Sequence, residues 1–132
     1  MPNKQNHKGR SKYEGPFVKI PHLLTDTAAW RSLSPQARVV LIELIRIYNG
    51  RNNGYLALSA RDAAARCNIA KDTATKVFRE LIEKGFVELV VPGGFSMKLR
   101  HAAEYRLTHL RCDRTGEVGR YGFKRWKSPE LA

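Results

Sequence analysis

Residues 59–89 read SARDAAARCNIAKDTATKVFRELIEKGFVEL, and the spacing of small and apolar residues within this stretch governs how the rest of the chain is read. Ser59 is a capping residue, because its side-chain oxygen can accept a bond from a free amide at a helix start. The short helix it opens, Ala60 to Cys67, turns Ala60, Ala63, Ala64 and Cys67 inward. Side chains that small let a second helix come close. Asn68 breaks the helix, being one of the few non-glycine types that tolerate a left-handed backbone, and Ile69 plugs the turn. A second helix runs from about Lys71 to Lys84. It spaces Ala74, Val77, Phe78, Leu81 and Ile82 at i, i+3, i+4, i+7 and i+8, an apolar stripe of helical period. Gly85 closes it. At ~100° per residue, the opposite side carries Asp72, Lys76, Arg79 and Glu83, flanked by Thr73 and Thr75.

Toward the N-terminus, Ser34 caps a longer helix with Pro35 at its first position, ending near Asn49-Gly50. Ala37, Val40, Leu41, Leu44, Ile45 and Tyr48 follow the helical rule, and Val39, Ile42 and Ile47 are apolar as well. A helix apolar on nearly all sides is covered on more than one. Either the short N-terminal segment packs on the second face, or a partner subunit does, with Val39, Ile42 and Ile47 as the candidate dimer surface. Ahead of this helix, Thr25 is expected to cap a brief helix from Asp26 to Arg31 anchored by Trp30. Phe17 to Ile20 reads as an extended lead-in ended by Pro21. The opening residues lack periodicity and read as a mobile arm.

Toward the C-terminus, Phe86 to Val91 is β-branched and apolar, a strand. Pro92-Gly93-Gly94 has turn chemistry. Ala103 to Thr108 alternates Tyr105 and Leu107 with Glu104, Arg106 and Thr108, a second strand with one buried face. Residues 95–101 are a strand extension or a loop tip. Tyr55 to Leu58, between the first two long helices, leaves room only for a very short strand.

Helix, short strand, small helix, tight turn, helix and two-stranded hairpin is the order of a winged helix-turn-helix. The expected class is therefore α+β, mainly α with a small β-hairpin wing. The organisation expected is a basic arm over residues 1–16, the domain over 17–110, and a basic, aromatic C-terminal tail over 111–132. The run from Ile69 to Val87 resembles the recognition helix and wing entry of bacterial winged-helix regulators. It is similar in particular to the GntR and MarR-like groups, where a Thr-rich helix start leads into a Leu, a Glu-Lys-Gly and the first wing strand. Ala70 departs from that pattern, standing where such helices often have a Ser cap. The chain as a whole also resembles short helix-turn-helix proteins of bacterial mobile elements and replicons.

Charge points to the same kind of partner. The 132 residues hold 24 Lys and Arg against 12 Asp and Glu, a formal net charge of +12, which favours a polyanion such as nucleic acid. Lys71, Thr73, Thr75, Lys76 and Arg79 are the expected DNA-facing residues of the second helix, Lys71 toward phosphates and the other four toward bases. Arg and Lys can address guanine, and Thr can donate a hydroxyl or meet a thymine methyl. Arg61 and Arg66 on the preceding helix suit phosphates. Lys98 and Arg100 resemble the basic wing tips of the family, placed to hold a neighbouring backbone or enter the minor groove. In the tail, Arg120 to Lys127 interleaves bases with aromatics. Two readings stand open there: a grip on nucleic acid through Lys124, Arg125 and Lys127, or docking of the segment on the domain through Trp126.

Other classes find little support. No apolar run approaches the ~20 residues that cross a bilayer, and Met1 to Lys12 has no apolar core of a secretory signal. Two cysteines are too few for a disulfide framework and fit a reducing cytoplasm. His109 and Cys112 are the only close pair of metal-ligand types, so no metal or cofactor is expected, and no nucleophile stands beside a base as an enzyme would need. The expectation is a cytoplasmic, nucleoid-associated protein that binds double-stranded DNA sequence-specifically, a bacterial transcriptional regulator. It is expected to act as a homodimer, away from membranes and without a small-molecule substrate. Two alternatives are a replication or partition accessory of a plasmid or mobile element and a winged-helix module that docks other proteins.

Overall fold

The computed structural model describes residues 15–96 and 99–129, with the backbone alone for residues 95, 96, 99 and 100. Those residues form a mixed α+β fold of five helices and a small three-stranded antiparallel sheet. The first two helices are single turns, α1 (His22–Thr25) and α2 (Ala28–Ser32). The cap of α2 is Thr27, whose Oγ1 accepts from the Trp30 amide at 3.1 Å. The helix expected from Asp26 under a Thr25 cap therefore starts two residues later, because residue 27 takes the extended backbone that a cap requires.

The longer helices follow their local signals. In α3 (Pro35–Ile47) the Ser34 Oγ accepts from the Ala37 amide at 3.2 Å. Ala37, Val40, Leu41, Leu44 and Ile45 are buried, Ile42 and Ile47 are half-buried, and Val39 stays 42% exposed. In α4 (Ala60–Cys67) Ser59 accepts from the Asp62 amide at 3.0 Å, and Asn68 ends the helix at φ 55°. The next helix, α5 (Lys71–Glu83), buries Ala74, Val77, Phe78 and Leu81 against α3 and α4. Ile82, expected in that stripe, lies at its edge and is 37% exposed.

The strands are β1 (Leu56–Ala57), β2 (Val87–Val91), β3 (Gly94–Ser96), β4 (Leu99–His101) and β5 (Glu104–Leu107). The sheet runs β1-β5-β2, with Tyr105 opposite Leu56 on one side and Leu89 on the other, and a bulge between Leu89 and Val91. The β3–β4 pair prolongs the hairpin beyond the sheet, so strand extension is the form taken by the described part of that stretch, residues 95, 96 and 99–101. Phe78 stacks on Tyr105 at 4.9 Å between ring centroids, which joins α5 to the sheet.

Alternation along β5 fails. Arg106 and Thr108, expected outward, are 9% and 3% exposed. The reason is residues 111–129, which lie over that face of the sheet. Phe123, in a 3₁₀ turn over Gly122–Lys124, is fully buried and stacks on Phe86 at 5.2 Å. The Tyr121 amide donates to the Thr108 carbonyl at 2.9 Å, and Trp126 packs half-buried on the core. Docking is thus the reading the structure supports for the aromatic segment, and residues 111–129 share one core with the rest. Two close approaches hold it there. The buried Asn53 amide donates to the carbonyls of Leu107, Leu110 and Arg111 and accepts from the Leu107 amide at 2.7 Å. Gly85, at φ +85°, lies so near Gly122 that a Cβ there would stand 2.3 Å from its carbonyl carbon.

Candidate nucleic-acid interface

The free face of α5 is built by the same period that buries its stripe. Lys76 and Arg79 stand on either side of Asp72 and Glu83 there, all four exposed. Among the described residues, Lys71, Lys76 and Arg79 take part in no ion pair. Asp72 lies in the first turn, where a carboxylate favours the positive end of the helix. Thr73 is half-buried. Thr75 is exposed, and its hydroxyl donates back to the Lys71 carbonyl at 3.2 Å. What Thr75 offers outward is therefore an acceptor and a methyl group.

Two openings flank this helix. A cleft of about 520 Å³ is walled by Arg61 and Asp62 from α4, Lys71 from α5, and Gly94, His101 and Ala102 from the hairpin. A narrower groove of about 320 Å³ runs between α5 and the hairpin, with Thr75, Arg79 and Ile82 on one side and Gly93, His101 and Ala103 on the other. Arg61 and Lys71 thus share one cleft with the hairpin, and Thr75 and Arg79 share the next. Among the described residues no side chain caps the start of α5 at Ala70. Its first amides are left without a local acceptor, and such a helix start suits a phosphate oxygen.

Other expected site residues fall elsewhere. Arg66 reaches back to Glu43 of α3 at 3.7 Å, with its side chain half exposed. Lys98 lies outside the described residues, as do residues 1–14 of the expected arm, and of Arg100 only the β4 backbone is described. Lys124, Arg125 and Lys127 are exposed on the docked C-terminal segment, beside the last turn of α5. They are remote from its first turn, across about 20 Å of helix at 1.5 Å per residue. The neighbouring Cys67 is half-buried, and burial together with Glu43 pushes its thiol up, away from a reactive thiolate.

One group that sequence reasoning missed fixes the pose of α5. The Glu80 carboxylate accepts from the Ser34 amide at 2.9 Å and its hydroxyl at 2.8 Å, and from Lys84 Nζ at 3.1 Å. Burial pushes Glu80 up, but these donors outweigh it and hold the carboxyl below its ordinary range. Lys84 also donates to the Ser32 carbonyl at 2.9 Å and lies over the Trp126 ring at 5.2 Å. α5 is thereby tied at one end to the start of α3 and to the C-terminal segment. Glu80 and Ser34 are 46 residues apart, and no local spacing announces the pair. Among the described residues, no three His, Cys, Asp or Glu side chains gather as a metal site would require, and no helix is long and apolar enough to cross a membrane. Comparison of the chain with protein families, with characterised proteins and with solved structures gives no match.

Proposed function

We propose that this chain is a winged helix-turn-helix protein that reads double-stranded DNA sequence-specifically, and that it serves as a bacterial transcriptional regulator. The observation that carries the reading is the free face of α5, whose Lys71, Lys76 and Arg79 are exposed and unpaired among the described residues while α4 and a hairpin flank them. An α-helix fits the major groove, and cations on its outer face can reach base edges. In this reading Thr73, Thr75, Lys76 and Arg79 face bases. Arg61 and Lys71 hold phosphates, and the hairpin lies along the neighbouring backbone with Lys98 and Arg100. The sheet order β1-β5-β2 followed by an extended hairpin is consistent with that arrangement, the hairpin being the wing. The chain pairs as a homodimer on a two-fold site, with half-sites ~10 bp apart or a multiple.

The test is selection of binding sites from a random duplex library at two salt concentrations. A palindromic motif whose enrichment survives the higher salt supports specific readout by a dimer. No motif, with affinity collapsing as salt rises, means the net charge alone was binding. The regulator reading then fails in favour of a docking module. An array of recovered sites beside a replication origin would instead favour the accessory role in replication or partition.

A further inference from the structure

On a part of the surface that shares no lining residue with either opening beside α5, the lead-in and the C-terminal end of α3 enclose a groove of about 350 Å³. Phe17, 74% exposed, and Leu23, 42% exposed, line it together with Ile45, Tyr48, His109 and Leu110. A concave apolar groove at the surface is a candidate interaction site. The groove's charge narrows what can fill it. Lys19 is in the lining, and among the described residues no Asp or Glu is. Exposed Arg51 follows Gly50 of the lining, and Arg111 follows Leu110, its side chain two-thirds exposed although it reaches Asp113 at 3.8 Å.

Three occupants are conceivable, and electrostatics separates them. The chain's own residues 1–14 carry Lys4, Lys8, Arg10 and Lys12 against Glu14, so they bring like charge to a cationic rim. A second copy seated here across a two-fold axis sets its own Lys19 against this one, again like charge on like. A foreign segment with apolar and acidic residues meets neither objection.

We propose that this groove docks an acidic, amphipathic segment of a partner protein, its apolar side chains seated between Phe17, Leu23, Tyr48 and Leu110 and its carboxylates directed at Lys19 and Arg51. The site is independent of DNA reading. It would let the chain hold a second protein while α5 remains free.

The probe is a labelled helical peptide with Leu and Trp along one face and Glu on the other, compared with a twin in which every Glu is Lys. Fluorescence anisotropy against the full chain is read near physiological salt, where unspecific attraction is screened beyond ~8 Å. The Glu peptide is expected to bind and the Lys twin not to. Phe17→Ser and Leu23→Ser should each weaken binding by about tenfold, as loss of an apolar anchor does. Both side chains are substantially exposed, so circular dichroism and DNA affinity should stay as they are. Lys76→Ala with Arg79→Ala should leave peptide binding unchanged. The proposal is overturned if the α5 double variant abolishes peptide binding while Phe17→Ser does not, which would mean that carboxylates only seek the cationic face. Equal binding of the Lys twin overturns it too. So does a dimer in sedimentation, without DNA, that Leu23→Ser dissolves, since the groove would then belong to a second copy.

Discussion

Cations of one chemical kind are used in two ways in this molecule. On the outer face of α5, Lys71, Lys76 and Arg79 stand in solvent with no ion-pair partner among the described residues. On the far face of β5, Arg106 is held by Glu88 at 3.1 Å and by Glu117 at 3.7 Å, Arg114 meets Glu104 at 3.3 Å, and Arg120 meets Glu88 at 2.8 Å. The second group lies where residues 111–129 close over the sheet, and there the buried Arg106 demands carboxylate partners. The first group has no such demand. A net charge of +12 is thus unevenly available: the paired arginines serve the fold, and the free cations are left for an external anion. Composition alone cannot draw that line, because it depends on which acids the fold brings within reach.

The comparison can be broken hardest on its folded side. If residues 111–129 are part of the core, Phe123→Ala should cost about 3–5 kcal/mol, the usual loss for truncating a buried aromatic. Urea unfolding is the measurement. A loss below about 1 kcal/mol would mean that the segment is a loose tail after all, within the range of surface substitutions.

A second lever on the same side is pH. His109 is buried, and burial pushes its imidazole from 6.5 down to about 4. Above pH 6.5 it is neutral in both folded and unfolded chains and contributes no pH dependence. As pH falls from 6.5 toward 4, the unfolded chain takes up a proton that the folded chain refuses, so stability drops, by about 3 kcal/mol in all. More than half of that loss comes above pH 5, before ordinary carboxylates titrate. Urea midpoints at pH 7.5 and 5 should therefore separate widely in the natural chain and draw together in His109→Gln. Equal separation in both would mean that the imidazole is solvated.

On the free side, Arg79→Ala should leave the unfolding free energy within about 0.5 kcal/mol, as substitution of an exposed surface residue does. It should weaken binding to the selected duplex by about 1–3 kcal/mol and relax one base position. Lys71→Ala should act differently, weakening all sequences alike and lowering the salt slope by about 1. Both are read by titration at several salt concentrations. A drop in stability without a change in binding would place these side chains with the paired group.

What the sequence made legible follows the range of each signal. The caps at Ser34 and Ser59, the break at Asn68 and the stripe of α5 rest on local spacing, and they stand as read except for Ile82, which falls at the edge of the stripe. Thr27 displaced Thr25 because two threonines offered the same chemistry two residues apart, and backbone geometry chose between them. The outward reading of Arg106 and Thr108 failed because period-two alternation assumes one solvated face, and a segment much later in the chain covers it. Glu80 was visible as a charge on α5, but its partner Ser34 lies 46 residues back. For the candidate interface, the side-chain directions on α5 were legible from helical period. The engagement of Arg66 by Glu43 of α3 was not, since it depends on how two helices pack.

The smallest expected effect bears on Lys124, because there the two groups of cations come nearest to being confused. Lys124 is exposed and makes no ion pair among the described residues, which by itself would put it with Lys71. Its position argues otherwise. It sits over the Tyr121 ring at 4.7 Å, on the turn that Phe123 anchors beside Gly85 at the far end of α5. A duplex held at the first turns of α5 and the hairpin lies about 20 Å of helix away, beyond the ~8 Å over which physiological salt leaves a charge effective. Lys124→Ala should therefore leave the salt slope unchanged where Lys71→Ala lowers it. A drop of about 1 for Lys124→Ala would mean that the duplex reaches around the C-terminal segment, and that docking this segment on the core also aims its cations at the backbone.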